Sequence, residues 1–238
     1  MNVCIYRLPV SRSIMDPARS VCPNCESLIK FYDNIPVLSY LWLKGRCRSC
    51  KHLIPFRYPM VEIISGLASL CVFLKFGITF ESVVYFGFIS ALIVITFIDI
   101  DHKIIPDVIT LPGIPLFFLT SMAMPGIDMK KSLIGILAGG GSLFIIAMIY
   151  NLITKKEGMG GGDIKLLAMI GALLGWKGVF FTIFLSSVIG STAGFIIMLK
   201  TQKGIKIAVP FGPFLSIGAV TYVFFGEQVI NWYFNMLN

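Results

Sequence analysis

The chain of 238 residues is 56% hydrophobic, only 13% charged, and carries a net charge of +8 at neutral pH. Soluble domains hold about 25% charged residues, and here the charges cluster between long apolar stretches, which excludes an ordinary soluble domain. The period-2 alternation of a membrane barrel is missing, and no basic helix carries base-reading or stacking residues, so no nucleic-acid partner is expected.

Residues 1–57 are polar and basic, with turn-forming prolines and four closely spaced cysteines. The first twenty residues contain no apolar core of a signal peptide. Apolar runs follow at 58–75, 81–98, 107–124, 132–153, 164–175, 178–199 and 210–236. A span needs roughly 20 apolar residues, and inside lipid its backbone must pair within itself. The expected fold is therefore an all-α polytopic membrane protein of about seven transmembrane helices, with a small N-terminal domain at 1–57 and a membrane domain at 58–238. The fifth run is short and is interrupted or ended by Gly171 and Gly175. The last contains Gly226 and Glu227 and reads as one helix or a re-entrant pair.

Basic residues set the orientation. If residues 1–57 are cytoplasmic and each run crosses once, 16 of the 20 Lys and Arg lie inside: those of the N-terminal domain plus Lys103, Lys155, Lys156, Lys165, Lys200, Lys203 and Lys206. Only Lys75, Lys130, Lys131 and Lys177 lie outside. The net charge then reflects this topology and attraction to anionic lipid, at about 1 kcal/mol per surface Lys or Arg.

Two chemical constellations stand out. Cys22-Pro-Asn-Cys25 and Cys47-Arg-Ser-Cys50 are two C-x2-C pairs separated by 21 residues, the spacing of paired knuckles around one tetrahedral metal. Four thiolates would saturate Zn2+, making it structural, and a polar segment of this size needs the folding energy a metal supplies. Two disulfides are the alternative, disfavoured in a reducing cytoplasm. Cys4 and Cys71 read as ordinary buried thiols, and His52 is surplus to a complete shell.

The second constellation is acidic. Asp99, Asp101 and Asp107 follow the second run. Asp99 abuts it directly, and Asp101, two positions on, faces nearly the opposite side of a helix. Asp101 reads equally as a cap, an interface residue or a site residue. Asp107 follows Pro106 and reads as a first-turn acid matching a helix dipole. Asp163 ends the glycine-rich stretch Gly158-Met-Gly-Gly-Gly162. Alone it reads as an N-cap after a flexible loop; the stretch is not a phosphate loop. Yet Asp99 and Asp163 fall at the same membrane depth on different helices. Two such carboxylates brought together share one proton, and acid–base assistance is worth about 10²–10⁴-fold per group. No Ser–His or Cys–His alternative is credible.

The residues that carry a resemblance are Asn2-Val-Cys-Ile-Tyr-Arg-Leu-Pro9, both knuckles, Asn34-Ile-Pro36-Val-Leu-Ser-Tyr40, Arg57-Tyr-Pro59, Asp99-Ile-Asp101-His-Lys-Ile-Ile-Pro106-Asp107, Lys156-Glu-Gly-Met-Gly160-Gly-Gly-Asp163-Ile-Lys165, and Pro210-Phe-Gly-Pro213-Phe. Over nearly its whole length the chain resembles the type IV prepilin peptidases (prepilin leader peptidase/N-methyltransferases) of the GxGD aspartyl protease class. The resemblance implies catalytic roles for Asp99 and Asp163. It implies a bacterial inner-membrane endopeptidase that removes the basic leader of type IV prepilins and type II secretion pseudopilins at the cytoplasmic face. S-adenosylmethionine-dependent N-methylation of the new N-terminus would follow, although no G-x-G-x-x-G follows a strand and no S-adenosylmethionine site is assigned. Family members usually carry one more apolar span ahead of the Asn-Val segment, so the start is expected to be misplaced or truncated, or that helix lost. Residues 158–162 are expected to pair with the unwound substrate near its cleavage point. A transporter would place its acids at the bilayer midplane instead, and a zinc-knuckle scaffold would need neither Asp99 nor Asp163.

Overall fold

The structure, a computed structural model, describes residues 1–10, 20–155, 160–201 and 210–237. The described residues are helical or irregular, with two isolated β-bridges. Two short helices, α1 (Asn2–Arg7) and α2 (Leu38–Trp42), precede α3 (Arg57–Phe76), α4 (Phe80–His102), α5 (Asp107–Ser121), α6 (Met129–Thr154), α7 (Gly161–Thr201) and α8 (Gly212–Leu237).

Every apolar run forms a helix over most of its length. Helices α3, α4, α6, α7 and α8 are long and apolar enough to cross a bilayer, and the chain is a multi-pass membrane protein. Helix α5 has 15 residues, a length of about 22 Å at 1.5 Å per residue, short of the roughly 30 Å hydrocarbon core. The fifth and sixth runs are two legs of α7, joined where Gly175 leaves helical geometry at φ 67°, ψ −177°. That φ is closed to side chains with a Cβ, so Gly175 interrupts the apolar run, as expected of it. Helix α8 continues through Gly226 and Glu227 as a single helix.

The chain divides into two compact units, Met1–Val94 and Ile95–Asn238, the division falling within α4. In the first, two turns of matching geometry hold the cysteines. In the second, α7 packs against α5, α6 and α8. Lipid tails are as apolar as leucine, so helices associate there through close packing of small residues and hydrogen bonds rather than through hydrophobic exclusion. Gly135 of α6 and Gly171 of α7 pack backbone to backbone; a Cβ on either would overlap the other's carbonyl oxygen. The Ser132 hydroxyl donates to the Ala172 carbonyl at 2.5 Å nearby. On the α5 side, Gly113 makes room for Met169. Residues 166–175, the first leg of α7, are buried throughout.

Candidate active site and metal centre

The last turn of α4 carries Asp99, which is 5% exposed. Asp101, about 200° further round the helix, is exposed. Helix α4 closes at Lys103, a left-handed residue (φ 55°) whose N–H donates to the Asp99 carbonyl at 2.8 Å. The Asp99 carboxylate accepts the Gly212 N–H through Oδ2 at 3.0 Å. That donor is the first residue of α8, where N–H groups lack helical partners and favour an anion. Glycine is needed there because a Cβ would lie 2.7 Å from Oδ2.

Asp163 is the third residue of α7 rather than its cap, and its N–H donates to the Gly160 carbonyl at 3.2 Å. The helix begins three residues earlier than the apolar pattern does, since Gly161, Gly162 and Asp163 are already helical. Of the stretch 158–162 expected to pair with substrate, Gly161 and Gly162 are helical, and Gly162 packs on Ile105, where a Cβ would lie 2.8 Å from the Ile105 Cβ. Gly158 and Met159 lie outside the described residues. Ile105 also reaches Gly212, where a Cβ would stand 3.4 Å from Ile105 Cδ1. One side chain from the α4–α5 connection thus touches the N-termini of both α7 and α8, and Asp163 lies within Coulombic reach of Asp99.

The Asp163 Oδ1 atom is buried and, among the described residues, accepts no hydrogen bond. A buried polar atom left unpaired costs about 1–3 kcal/mol, more when charged, and native structures keep few of them. Asp107 stands in the first turn of α5, as expected, and also pairs with Lys165, whose Nζ lies 2.8 and 2.7 Å from its two oxygens. This link between the Asp-x-Asp and glycine-rich segments leaves no local mark, since a separation of 58 residues has no periodic signature.

In the first unit, Cys22, Cys25, Cys47 and Cys50 converge, their sulfurs all within 4.8 Å of one another. Each pair sits on the same turn. Cys22 N–H donates to Ser27 O and Glu26 N–H to Cys22 O; Cys47 N–H donates to His52 O and Lys51 N–H to Cys47 O. Glu26 and Lys51 are both left-handed, and the bridges Val21–Leu28 and Arg46–Leu53 close the two turns identically. The Cys22–Cys50 sulfur separation is 3.9 Å, close to the roughly 3.8 Å edge of a tetrahedron with Zn–S bonds of about 2.3 Å. The set fits a zinc site. Burial pushes the Cys22 thiol up to about 11. The Ser27 hydroxyl, 3.0 Å from Cys25 Sγ, holds Cys25 down to about 6, and the Cys50 N–H holds Cys47 below its ordinary value. All six cysteines are free of disulfides. Cys4 is half-buried; Cys71, expected to be buried, is exposed on α3, because an apolar run does not reveal which face of a helix meets protein.

Comparison with known proteins agrees with both halves. Residues 1–76 match the family described as the Bacterial Peptidase A24 N-terminal domain, and residues 86–199 match the Type IV leader peptidase family. A prepilin leader peptidase/N-methyltransferase of Pseudomonas putida is 34% identical over 96% of this chain and 87% of its own length. The protein of the same name from Aeromonas hydrophila is 34% identical over 98% and 88%, and that of Pseudomonas aeruginosa 37% identical over 90% and 74%. No solved structure matches. A four-cysteine domain followed by apolar helices with paired aspartates, and alignment over most of the length of such relatives, lead to one conclusion: the chain belongs to the type IV leader peptidase family.

Proposed function

We propose that this protein is an aspartic endopeptidase that removes the leader of prepilins, and that Asp99 and Asp163 are its catalytic pair. The observation that carries the reading is the buried, unpartnered Oδ1 of Asp163 beside an Asp99 carboxylate held by the α8 N-terminus. An acceptor kept free at such a cost suits a group that must take a proton from water.

One carboxylate, ionised, draws a proton from a water molecule whose oxygen bonds to the scissile carbonyl carbon. The other, protonated, donates to the carbonyl oxygen and then to the departing amine as the carbon–nitrogen bond breaks. Gly212 N–H fixes the orientation of Asp99 throughout. The family likeness extends the substrates to pseudopilins, and it adds methylation of the exposed amine with S-adenosylmethionine as methyl donor. Zn2+ held by Cys22, Cys25, Cys47 and Cys50 would carry no open coordination position and would serve folding alone. The weight of Lys and Arg supports a plasma-membrane protein with its N-terminal domain and both aspartates on the cytoplasmic side. Lys156, Lys203 and Lys206, which contribute to that count, lie outside the described residues.

The test is cleavage of a purified prepilin in detergent by Asp99→Asn and Asp163→Asn. Asparagine preserves shape and removes the proton chemistry, so each variant should lose at least about 10³-fold in rate while staying folded. Activity retained in both would exclude the pair.

A further inference from the structure

Three segments that mark the family resemblance carry neither of the paired aspartates: those around Asn2, around Asn34–Tyr40 and around Arg57–Pro59. They meet at one carboxylate. Glu62, on the second turn of α3, accepts the Asn2 side-chain N–H at Oε1 (3.4 Å) and the Val37 N–H at Oε2 (3.0 Å). Asn2 also donates to the Tyr58 carbonyl at 3.1 Å, which fixes it against the same turn. Glu62 lines an open cleft together with Asp33, Asn34, Tyr40 and Tyr58.

Two features show that this cleft is built. Pro36-Val37-Leu38 forms a turn in which Leu38 N–H donates back to Pro36 O, with Val37 at φ 59°, ψ −47°. This mirror form of the three-residue turn is rare and strained, and for a β-branched residue it is a true outlier. It is what aims the Val37 N–H at Glu62. Tyr40 is wedged between the Phe56 ring, edge-on at 6.3 Å, and Gly45, where a Cβ would lie 3.0 Å from the tyrosine ring.

Charge then decides the ligand. Asp33 is neutralised by Arg48, whose Nε and Nη2 donate to its two oxygens at 2.7 and 2.6 Å. Among the described residues no cationic side chain lies within ion-pair distance of Glu62. Its two hydrogen bonds leave about half of a carboxylate's four acceptor positions free. A carboxylate with spare lone pairs in a cleft that two tyrosines also line is an environment suited to a positively charged onium centre.

We propose that the Glu62 cleft is the methyl-transfer site, and that it binds the cationic centre of that reaction, an α-ammonium or a sulfonium. This rests on the N-methylation reading above and supplies its missing location. Glu62 takes the proton that the α-ammonium must shed. The freed nitrogen lone pair bonds to the methyl carbon as the carbon–sulfur bond breaks, its electron pair remaining on sulfur.

The test uses the full chain in detergent, with binding followed by calorimetry and leader cleavage measured in parallel. S-adenosylmethionine probes the sulfonium arm; the leaderless cleavage product, with its amine free or acetylated, probes the ammonium arm. Glu62→Gln keeps an acceptor for Val37 and removes the charge, so it should weaken at least one arm by about tenfold or more, with cleavage within twofold of the parent. Loss confined to S-adenosylmethionine identifies a sulfonium, and loss confined to the free-amine product an ammonium. Tyr40→Leu, which leaves Glu62 intact, should weaken the same arm. Undiminished binding of both probes by Glu62→Gln overturns the proposal. So does a binding loss matched by equal losses of cleavage and thermal stability, which would make Glu62 a structural tie. Both binding arms are read without turnover, so an inactive parent enzyme would sink the peptidase reading and leave this one decided separately.

Discussion

Replacing Gly212 by alanine is the smallest perturbation that reaches the proposed catalytic pair. The new Cβ would stand 2.7 Å from Asp99 Oδ2, 3.3 Å from its Cγ and 3.4 Å from Ile105 Cδ1. Ordinary contact begins near 3.4 Å, so the carboxylate or the start of α8 must give way by about 0.7 Å, enough to spoil a 3.0 Å hydrogen bond. A hydrogen bond to a charged group is worth about 1.5–3 kcal/mol, which converts to roughly 10–100-fold in rate. A misplacement near 1 Å in an active site costs on the order of 10²-fold by independent reckoning. Initial rates of leader cleavage should therefore fall about 10–100-fold, with little change in thermal stability. Gly141→Ala is the control: nothing lies within 4 Å of its added Cβ, and alanine is the better helix former by about 1 kcal/mol. A Gly212→Ala enzyme with the parent rate would mean that the α8 N-terminus does not orient Asp99 for chemistry.

Other consequences follow from the packing and the N-terminal domain. Gly135→Ala would drive a Cβ into Gly171 O and to 2.8 Å from Gly175 Cα; overpacking of this kind costs about 1–3 kcal/mol, read as a lower thermal midpoint in detergent. Stripping zinc with a chelator should expose residues 20–54 to proteolysis and leave Asp99 and Asp163 in place, so slow residual cleavage should survive. Because four thiols must lose their protons, retention of the metal should weaken as pH falls. The Arg48 guanidinium holds Asp33 below the usual carboxylate range. Its stabilisation is thus complete above the unfolded carboxylate value of about 3.9 and disappears as pH falls through the lower folded value. An Asp33→Asn variant should therefore be less stable than the parent near neutrality and converge on it in strong acid; parallel melting curves at all pH values would refute the pairing.

Which parts of this molecule were legible in its sequence follows from the range of the forces involved. Helices inside lipid are dictated locally, so runs such as 132–153 and 81–98 mark α6 and α4 to within a few residues. Asp99 and Asp101 separate as helical periodicity requires, one buried and one exposed. The knuckles are local as well, each set by a handful of residues. What escaped was tertiary. The Gly212–Asp99 hydrogen bond joins residues 113 apart, and nothing local marks Glu62, on which Asn2 and Val37 converge from 60 and 25 residues away. Gly175 interrupts its run as expected, but glycine in a sequence signals only permission for an unusual backbone, not the direction taken.

The enclosed first leg of α7 has a mechanical consequence. A rod walled in by protein along residues 166–175, locked to α6 where two backbones touch, cannot slide or turn without breaking its own surroundings. Asp163 is mounted at the end of that rod and is therefore the stationary jaw. If the proposed pair is to receive a long polypeptide, the yielding falls to the pieces that pack against it, the Ile105 connection and the head of α8.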